Sequence, residues 1–408
     1  MGINFNIVKK PKVEEDDGEE LEEETVEVKE EKSDGGYNPK KKMLRFMAII
    51  VVVMVVLLII LFFASSSKGH KSTYSYSEIE TILEKAGKSY FKEHSSYLPE
   101  YDGDTAEVEA STLVADGQMK DLSEYPTKDG AVCTGSVKVQ LEEGEYLYSP
   151  LLSCGDKYAT VALSTKVVED NEIVTTGDGL YSRSGEYIFR GENVNNYIEL
   201  DKNLWRIVKI TSNDEIVLIS ENQVGYSTSW DDRYNEEKKY SVGINNYGVS
   251  RAKDYLDDIY KGNSKNKKDK ILSSKDKARM VAFNVCAGKR SSTSEDKKNT
   301  DECKQIVKNQ KMGLLTLSDY LYASVDPNCK SSETKSCANY NYLVTRYNWW
   351  LATANSANTY SVYRVRSDGL VTSDTANTYS VVRPVIHLNS SVLFKSGKGT
   401  EEKPYKVR

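Results

Sequence analysis

The pattern of apolar and polar positions changes three times along the chain, and its first strong feature is a long apolar run. Phe46 to Ala64 contains 19 residues without a charge, a proline or a glycine. A helix of that length spans about 28 Å, close to the hydrocarbon thickness of a bilayer. A cleaved signal peptide is the alternative, but a long acidic segment precedes the run and no small-residue cleavage site follows it. The pattern predicts a single transmembrane helix over 46–64.

Charges beside this run predict its orientation. Four basic residues precede it closely and two follow it: Lys40, Lys41, Lys42 and Arg45, then Lys68 and Lys71. Since basic residues favour the cytoplasmic side, we expect a single-pass protein of the cell membrane. Its N-terminus would be cytoplasmic and its C-terminal domains extracellular.

Residues 1–45 are acidic and poor in apolar side chains, most clearly from Glu14 to Glu24. Charge repulsion predicts a disordered, solvated cytoplasmic tail, with docking to a basic cytoplasmic partner as the alternative. The whole chain of 408 residues has a net charge of -6, so nothing steers it toward nucleic acid.

Helical periodicity follows a linker over 65–77. Ser77 and Glu80 have capping-box spacing, and apolar residues then recur on one face: Ile79, Ile82, Leu83, Ala86 and Tyr90. A short helix over 111–116 and strand patterns at 132–139 and 145–152 complete a predicted stalk domain, 78–165. An apolar run, an amphipathic helix and a small cystine-bearing sheet resemble type IV pilin-like proteins. The glycine and glutamate of a prepilin processing site are absent, which argues against cleavage and fibre assembly.

Six cysteines all lie beyond the apolar run, which suits disulfides in an oxidising compartment. Nearest-neighbour pairing is the simplest of 15 connectivities: Cys133–Cys154, Cys286–Cys303 and Cys329–Cys337. Free thiols are the alternative. Zinc is disfavoured because no C-x₂-C or H-x₃-H spacing occurs.

From about residue 166 the pattern becomes β-rich. Strands are indicated at 186–191 and 196–200, and a hairpin at 205–210 and 215–219. Helices fit 251–260 and 317–323. The charged stretches 261–270 and 289–298 are predicted to be solvated surface loops, with a polyanion contact as the alternative.

A hexamer, ANTYSV, occurs at 357–362 and again at 376–381. The first copy follows Trp349-Trp350-Leu351 and leads into alternating residues, then a Ser367-Asp368-Gly369 turn. We expect two similar strands in neighbouring ladder positions, with Tyr and Val on opposite faces.

Ordered motifs extend this pattern over about 178–408. The first are Tyr187-Ile188-Phe189-Arg190-Gly191, Asn195-Asn196-Tyr197 and Leu204-Trp205-Arg206-Ile207. They continue with Gly313-Leu314-Leu315, Leu317-Ser318-Asp319-Tyr320, Trp349-Trp350-Leu351, Gly369-Leu370-Val371 and Arg383-Pro384-Val385-Ile386-His387-Leu388. This set resembles an uncharacterised bacterial surface-protein domain, which is similar to C-type lectin-like and formylglycine-generating-enzyme-like folds. The expected fold class is α+β: a transmembrane helix, a membrane-proximal helix with a small sheet, and a distal antiparallel β-rich domain with two helices. The resemblance implies a twisted core with variable loops, not an activity.

Candidate chemistry is sparse. The E-P-N, Q-P-D and W-N-D signatures of calcium-dependent sugar binding are absent, and Val325-Asp326-Pro327-Asn328 is expected to be a turn, so no cofactor is predicted beyond a possible calcium ion. Protease, hydrolase and P-loop motifs are also absent. His387 alternates with apolar residues as a packed strand residue does. In Trp230-Asp231-Asp232-Arg233, Arg233 is expected to pair with one carboxylate.

The polar and aromatic mixture after the tryptophan pair is the candidate binding site. Aromatic rings contact sugar faces, and amides and carboxylates hydrogen-bond hydroxyl groups. The candidate ligand-binding residues are Trp349, Asn355, Asn358, Tyr360, Tyr363, Arg364 and Asp368. One of the two tryptophans is expected to be buried and the other exposed. We expect a non-enzymatic binding or adhesion protein for a glycan or a surface protein. An assembly scaffold and a formylglycine-type enzyme with a free cysteine are the alternatives.

Overall fold

The structure is a computed structural model that describes residues 73–408 together with Met47, Ile50, Val51 and Met54. The chain divides into two units, Met1–His70 and Lys71–Arg408. The predicted acidic tail and most of the linker lie outside the described residues.

The predicted transmembrane helix needs correction. Within the described part of the chain, no helix combines the length and the apolar character needed to cross a membrane. Only four residues of the segment 46–64 are among the described residues, and these four are helical and exposed. The predicted single-pass membrane location and orientation are therefore not supported.

The N-terminal part of the described chain is a helix packed on a small sheet. Helix α1, Tyr76–Glu93, has Ser75 as its N-cap, and the Ser75 backbone N–H donates to the Glu78 carboxylate at 2.9 Å. The capping box thus lies two residues before the predicted one at Ser77 and Glu80. The other elements are β1 Thr105–Glu109, α2 Ala110–Ala115, β2 Thr134–Glu142 and β3 Glu145–Ser153, in the sheet order β1-β2-β3.

Close packing joins this helix to its sheet. The buried face of α1 includes Ile79, Leu83 and Ala86, as their spacing predicted. A Cβ atom at Gly87 would lie 2.6 Å from Val137 Cγ1 on β2, so a larger residue would push helix and sheet apart.

Helices and short strands alternate irregularly in the larger part. Its helices are α3 Leu163–Asp170, α4 Arg251–Lys261, α5 Ser274–Ala278 and α6 Leu317–Ala323. Its first strands are β4 Gly179–Arg183, β5 Glu186–Arg190, β6 Tyr197–Leu200, β7 Asn203–Ile210, β8 Ile216–Ser220 and β9 Val224–Ser229. The middle strands are β10 Met280–Val281, β11 Phe283–Cys286, β12 Lys289–Arg290, β13 Ile306–Gln310 and β14 Trp349–Asn355. The last are β15 Ser361–Val365, β16 Val371–Thr375, β17 Tyr379–Val382, β18 Val385–Leu388, β19 Phe394–Ser396 and β20 Lys406–Val407.

Two large sheets organise most of these strands, while β11 pairs only with β13 and β19 only with β20. One has the order β10-β18-β8-β7-β5-β4 with β6 on β7, and the other has the order β16-β15-β14-β17-β9 with β12 on β14. Strand β14 pairs in parallel with both β17 and β12, so the predicted antiparallel core is wrong at this strand. Helices α4 and α6 occupy the two predicted helical segments, and α3 and α5 were not predicted. The fold is therefore mainly β-sheet, and the expected α+β arrangement with a membrane helix is wrong.

Four tryptophans lie in one core: Trp205, Trp230, Trp349 and Trp350, each 0% exposed. Two of them donate their indole N–H groups to backbone carbonyl oxygens of strands β14 and β9. Trp230 Nε1 donates to the Leu351 carbonyl oxygen at 3.1 Å, and Trp350 Nε1 donates to that of Thr228 at 3.0 Å. These hydrogen bonds fix the orientation of the two buried rings.

Charged side chains link α1 to the end of the described chain. The Arg408 guanidinium donates to the buried Glu80 carboxylate at 2.7 Å, and Glu80 also accepts from Tyr158 at 2.8 Å. Arg279 Nε donates to the Arg408 carbonyl oxygen at 2.9 Å. Glu80 therefore joins the two parts of this unit, where the sequence pattern had suggested a helix cap.

The disulfide prediction is confirmed. Pairing is between nearest neighbours along the chain: Cys133–Cys154, Cys286–Cys303 and Cys329–Cys337. The last two bonds close loops in the larger part.

Candidate functional site

The repeated hexamer lies on both sides of the tryptophan strand. Its first copy leads into β15 and its second into β17, and β14 lies between those strands. The expectation that the two copies occupy neighbouring ladder positions is therefore wrong. Strand β15 pairs with β16 instead, with Tyr363 opposite Ser373.

Each copy of the hexamer also holds one long loop in place. Asn358 Oδ1 accepts from the backbone N–H of Ser361 at 2.7 Å, which closes a tight turn. Asn245 donates from its side chain to the Asn358 carbonyl oxygen at 3.0 Å. In the second copy, Asn377 Nδ2 donates to the Ser241 carbonyl oxygen at 2.9 Å. The repeat is a paired anchor for the loop between β9 and α4.

The structure distributes the candidate binding residues over different environments. Trp349 and Tyr363 are buried, so neither ring offers a face to solvent, and Trp350 is buried as well. The expectation that one tryptophan would be exposed is wrong. Half-buried positions are Asn355, Asn358, Tyr360 and Arg364, and Asp368 is exposed. The segment 355–368 therefore presents a partly buried face.

Arg364 and Tyr363 point to opposite sides of β15. Arg364 Nε donates to Asp374 at 2.6 Å, and its guanidinium lies 5.9 Å from the Trp350 ring. Tyr363 donates from its hydroxyl to the Arg290 carbonyl oxygen at 3.3 Å. Burial raises the pKa of Tyr363, so this hydroxyl stays protonated.

A groove opens on the Tyr363 side of the sheet. It has a volume of 260 Å³, and it lies between strands β15 and β16 and the loop that the Cys329–Cys337 disulfide closes. Its floor is apolar: Leu370 and Val371, which are half-buried, and Tyr363, which is only 1% exposed. Its walls are polar: Ser292, Ser332, Glu333, Thr334, Lys335, Arg366, Thr372 and Ser373. We call this feature the β15–β16 groove.

Hydrogen bonds between loops shape the walls of the groove. Ser292 Oγ donates to the Glu333 carboxylate at 2.7 Å, and Ser332 Oγ donates to the Ser292 carbonyl oxygen at 2.8 Å. On the strand side, Asn355 donates to Ser373 Oγ at 2.8 Å. The first two contacts join the 291–294 and 331–335 loops, and the third joins β14 to β16.

The exposed rim of the groove carries both signs of charge. Lys335, Arg366 and Glu333 are all exposed at its edge. Arg366 forms an ion pair with Asp368 at 2.9 Å, which places the candidate residue Asp368 beside the rim. The mixture of amine, guanidinium, carboxylate and hydroxyl groups offers hydrogen bonds in several directions.

A buried ion pair supports the groove from below. Arg290 Nη1 lies 3.2 Å from Glu302 Oε1, and both side chains are 0% exposed. Arg290 also donates to the Ser294 carbonyl oxygen at 2.7 Å, and Glu302 accepts from Ser318 Oγ at 2.9 Å. Burial raises the pKa of Glu302, and the charge of Arg290 opposes that shift. No local periodicity marks this pair, although its residues closely follow Cys286 and precede Cys303.

The ordered motifs meet around a second buried arginine. Arg383 Nε donates to the Ser220 carbonyl oxygen at 2.9 Å, and its guanidinium lies 5.0 Å from the Trp349 ring. Glu221 lies 3.6 Å from Arg383 and 3.9 Å from Arg206. Residues far apart in sequence thus form one polar centre inside the core, which gives these motifs a role in folding.

Catalytic candidates are placed in structural roles. All six cysteines are disulfide-bonded, so the described residues hold no free thiol for a formylglycine-type reaction. His387 stacks on Phe283 with ring centroids 4.0 Å apart, and its Nδ1 lies 3.2 Å from Glu215. Burial lowers the pKa of His387, and Glu215 opposes that shift. Arg233 pairs with the buried Asp231, as expected.

The expected turn at 325–328 is present, because Asp326 accepts from the Asn328 backbone N–H at 2.8 Å. Hydrogen bonds from Asn339 and this N–H lower the pKa of Asp326. Residues 73–408 and the four described residues before them contain no cluster of three or more His, Cys, Asp or Glu side chains suited to a metal ion.

Comparison of the chain with protein-family models, with curated proteins and with solved structures finds no match. The resemblances to lectin-like and pilin-like domains therefore remain predictions.

Proposed function

We propose that the larger part of this protein is a binding module, and that the β15–β16 groove takes one polar unit of a glycan. The observation that carries this proposal is the combination of an apolar floor, a polar wall and a disulfide-closed loop at one concave site. Sites with few, well-placed polar groups over an apolar base are typical of small-molecule recognition.

The size of the groove supports a small ligand unit. Its volume of 260 Å³ is just below the range of about 300–1,000 Å³ in which drug-sized molecules bind. A single sugar of a longer chain fits that size, and the neighbouring sugars would extend into solvent. A protein ligand remains the alternative, because a short side chain could enter the same groove.

The polar chemistry of the walls also suits hydroxyl-rich ligands. Hydroxyl groups both donate and accept hydrogen bonds, and the groove offers donors in Lys335 and Arg366 and an acceptor in Glu333. The hydrogen bond from Ser292 holds the Glu333 carboxylate, and the one from Ser332 holds the same loop, which reduces the entropy lost on association.

The test uses the full chain and a panel of neutral, amino-sugar and acidic oligosaccharides. The groove variant is Lys335→Ala, Arg366→Ala, Ser373→Ala, because these side chains are exposed and their loss leaves the core intact. We expect the wild type to bind a panel member and the groove variant to bind it at least about tenfold more weakly.

A matched control removes the same three residue types elsewhere. Its substitutions are Lys157→Ala, Arg251→Ala and Ser390→Ala, all at exposed positions outside the groove. Arg251 is a fair match for Arg366, since it also forms an exposed ion pair, with Asp232 at 3.3 Å. An equal loss of oligosaccharide affinity in the two variants would contradict the proposed site. If the wild type bound no member of the panel, a glycan ligand would be contradicted.

A further inference from the structure

A separate cavity lies in the most basic segment of the chain. Residues 261–279 contain eight Lys or Arg residues and two Asp residues, in a protein whose net charge is -6. Both acidic residues, Asp269 and Asp276, are buried. The exposed charge of this segment is therefore positive throughout.

The buried carboxylates are used in holding the segment together. Asp269 accepts from the Tyr255 hydroxyl at 2.9 Å and from Asn266 Nδ2 at 3.1 Å. Asp276 accepts from Ser273 Oγ at 2.6 Å and forms an ion pair with Arg279 at 3.0 Å. Neither carboxylate is available to neutralise the lysines at the surface.

The cavity has a volume of 420 Å³ and lies between the end of α4 and the start of α5. Its inner wall is apolar: Ile259, Ile271, Leu272 and Met312. Its mouth carries four lysines with hydroxyl and amide groups between them: Lys265, Lys267, Lys270, Lys277, Ser264, Ser274 and Asn266. Asp269 also lines the cavity, but its carboxylate is buried and held by Tyr255 and Asn266. We call this feature the lysine cavity. It shares no lining residue with the β15–β16 groove.

Three of the four ammonium groups are free to act on a ligand. Lys277 donates to the Tyr260 carbonyl oxygen at the end of α4 and is already engaged. Lys265, Lys267 and Lys270 are exposed and form no ion pair with any residue in the described part of the chain. Three unpaired positive charges around one concavity repel one another, and an anion would relieve that repulsion.

We propose that the lysine cavity binds a phosphate-bearing chain, with its carbon skeleton against the apolar wall and its phosphates at the lysines. A lysine ammonium acts as a point charge that suits a tetrahedral phosphate from several directions. The described lining contains no arginine, so recognition there would depend on charge and not on the planar fork with which arginine binds carboxylate or phosphate. The spread of three lysines across the mouth favours a ligand with more than one charge. This inference does not rest on the groove proposal.

The test measures binding of the full chain to a short inorganic polyphosphate, with polyglutamate of matched charge as the carboxylate probe. The cavity variant is Lys265→Gln, Lys267→Gln, Lys270→Gln. The matched control is Lys128→Gln, Lys298→Gln, Lys308→Gln, three exposed lysines outside the cavity with the same change in net charge. A third variant with arginine at 265, 267 and 270 keeps the charge.

We expect the cavity variant to bind polyphosphate at least about tenfold more weakly, since three exposed ion contacts are lost. The control and the arginine variant should stay within about threefold of the wild type, and polyglutamate should bind more weakly than polyphosphate. An equal loss of polyphosphate affinity in the cavity and control variants would show that binding depends on net charge alone, and it would overturn the proposed site. A wild type that binds no polyphosphate, or prefers polyglutamate, would overturn the ligand class.

Discussion

Truncation of Glu302 tests whether the buried ion pair supports the groove. In the wild type, Glu302 accepts from Arg290 Nη1 at 3.2 Å, from Ser318 N at 3.1 Å, from Ser318 Oγ at 2.9 Å and from Thr353 Oγ1 at 3.4 Å. The Glu302→Ala variant leaves these donors buried without that acceptor. It also leaves the Arg290 charge without its carboxylate.

The structure sets the size of the effect. Breaking a buried ion pair from one side costs about 3–5 kcal/mol of folding free energy. Arg290 keeps its bonds to Ser318 Oγ at 2.6 Å and to Ser294 O at 2.7 Å, so the loss should fall in the lower half of that range. Glu302→Gln retains an acceptor oxygen and should cost less than the alanine variant.

Urea unfolding followed by tryptophan fluorescence measures this loss, because all four tryptophans lie in the same core. A variant that removes both charges, Arg290→Met with Glu302→Leu, leaves no unpaired charge in the core. It should regain most of the folding free energy that Glu302→Ala loses. A Glu302→Ala cost below about 1 kcal/mol would refute the reasoning, because the pair would then be open to water.

Three further predictions concern the loops and the pH response. Replacing Cys329 and Cys337 with serine opens a loop with a sequence separation of 8. The free energy of unfolding in urea should fall by about 2.5 kcal/mol, and binding to the groove should weaken. Unchanged binding would mean that the loop does not form a wall of the groove. Gly243→Ala places a Cβ atom 2.3 Å from the Asp231 carbonyl oxygen at a φ of +87°. The control, Gly144→Ala, has a similar φ of +76° but no atom within 4 Å of the new Cβ. The thermal unfolding midpoint should therefore fall further for Gly243→Ala than for Gly144→Ala. Burial lowers the pKa of His387 in the folded state, so the unfolded chain binds the proton more readily and stability should fall as the pH drops below 6.5. His387→Gln should flatten that decline in unfolding midpoints, and an unchanged slope would contradict it.

Local periodicity was sufficient for elements whose contacts are close in sequence. The buried face of α1, the hairpin of β7 and β8, and the pairing of neighbouring cysteines all depend on short separations. The capping box was misplaced because Ser75 and Ser77 both precede a glutamate by three residues. Only the tertiary contacts of Glu80 with Tyr158 and Arg408 decide between them.

Non-local pairing explains what the sequence could not predict. The repeat in the hexamer indicated two similar strands, but nothing local shows that β14 lies between them or that it pairs in parallel with β17. A parallel partner requires a crossover connection, and its register depends on the whole sheet.

The predicted binding residues lie on and beside a strand that lines the proposed groove, but two of the predicted aromatic rings, Trp349 and Tyr363, are buried. Alternation along β15 placed Tyr363 and Arg364 on opposite faces, yet loops around Ser292 and Ser332 cover the Tyr363 face. Loops of this kind bury an aromatic ring that would otherwise be exposed. Five polar wall residues of the groove come from these loops, where no periodic pattern marks them: Ser292, Ser332, Glu333, Thr334 and Lys335. The other three, Arg366, Thr372 and Ser373, come from β16 and the turn before it.

Tyr363→Ala is consequently a poor probe of binding. The ring is 1% exposed in the core, and its removal should cost about 3–5 kcal/mol of stability. Exposed wall residues such as Arg366 and Ser373 separate binding from folding.

Hydrogen exchange is the most direct test of the β15–β16 groove as the binding site. The full chain would be measured alone and with the panel oligosaccharide that binds it. We predict slower exchange confined to the loop over 331–335 and the strand over 371–373, since both line the groove. Slowing elsewhere, with these two segments unchanged, would contradict the account.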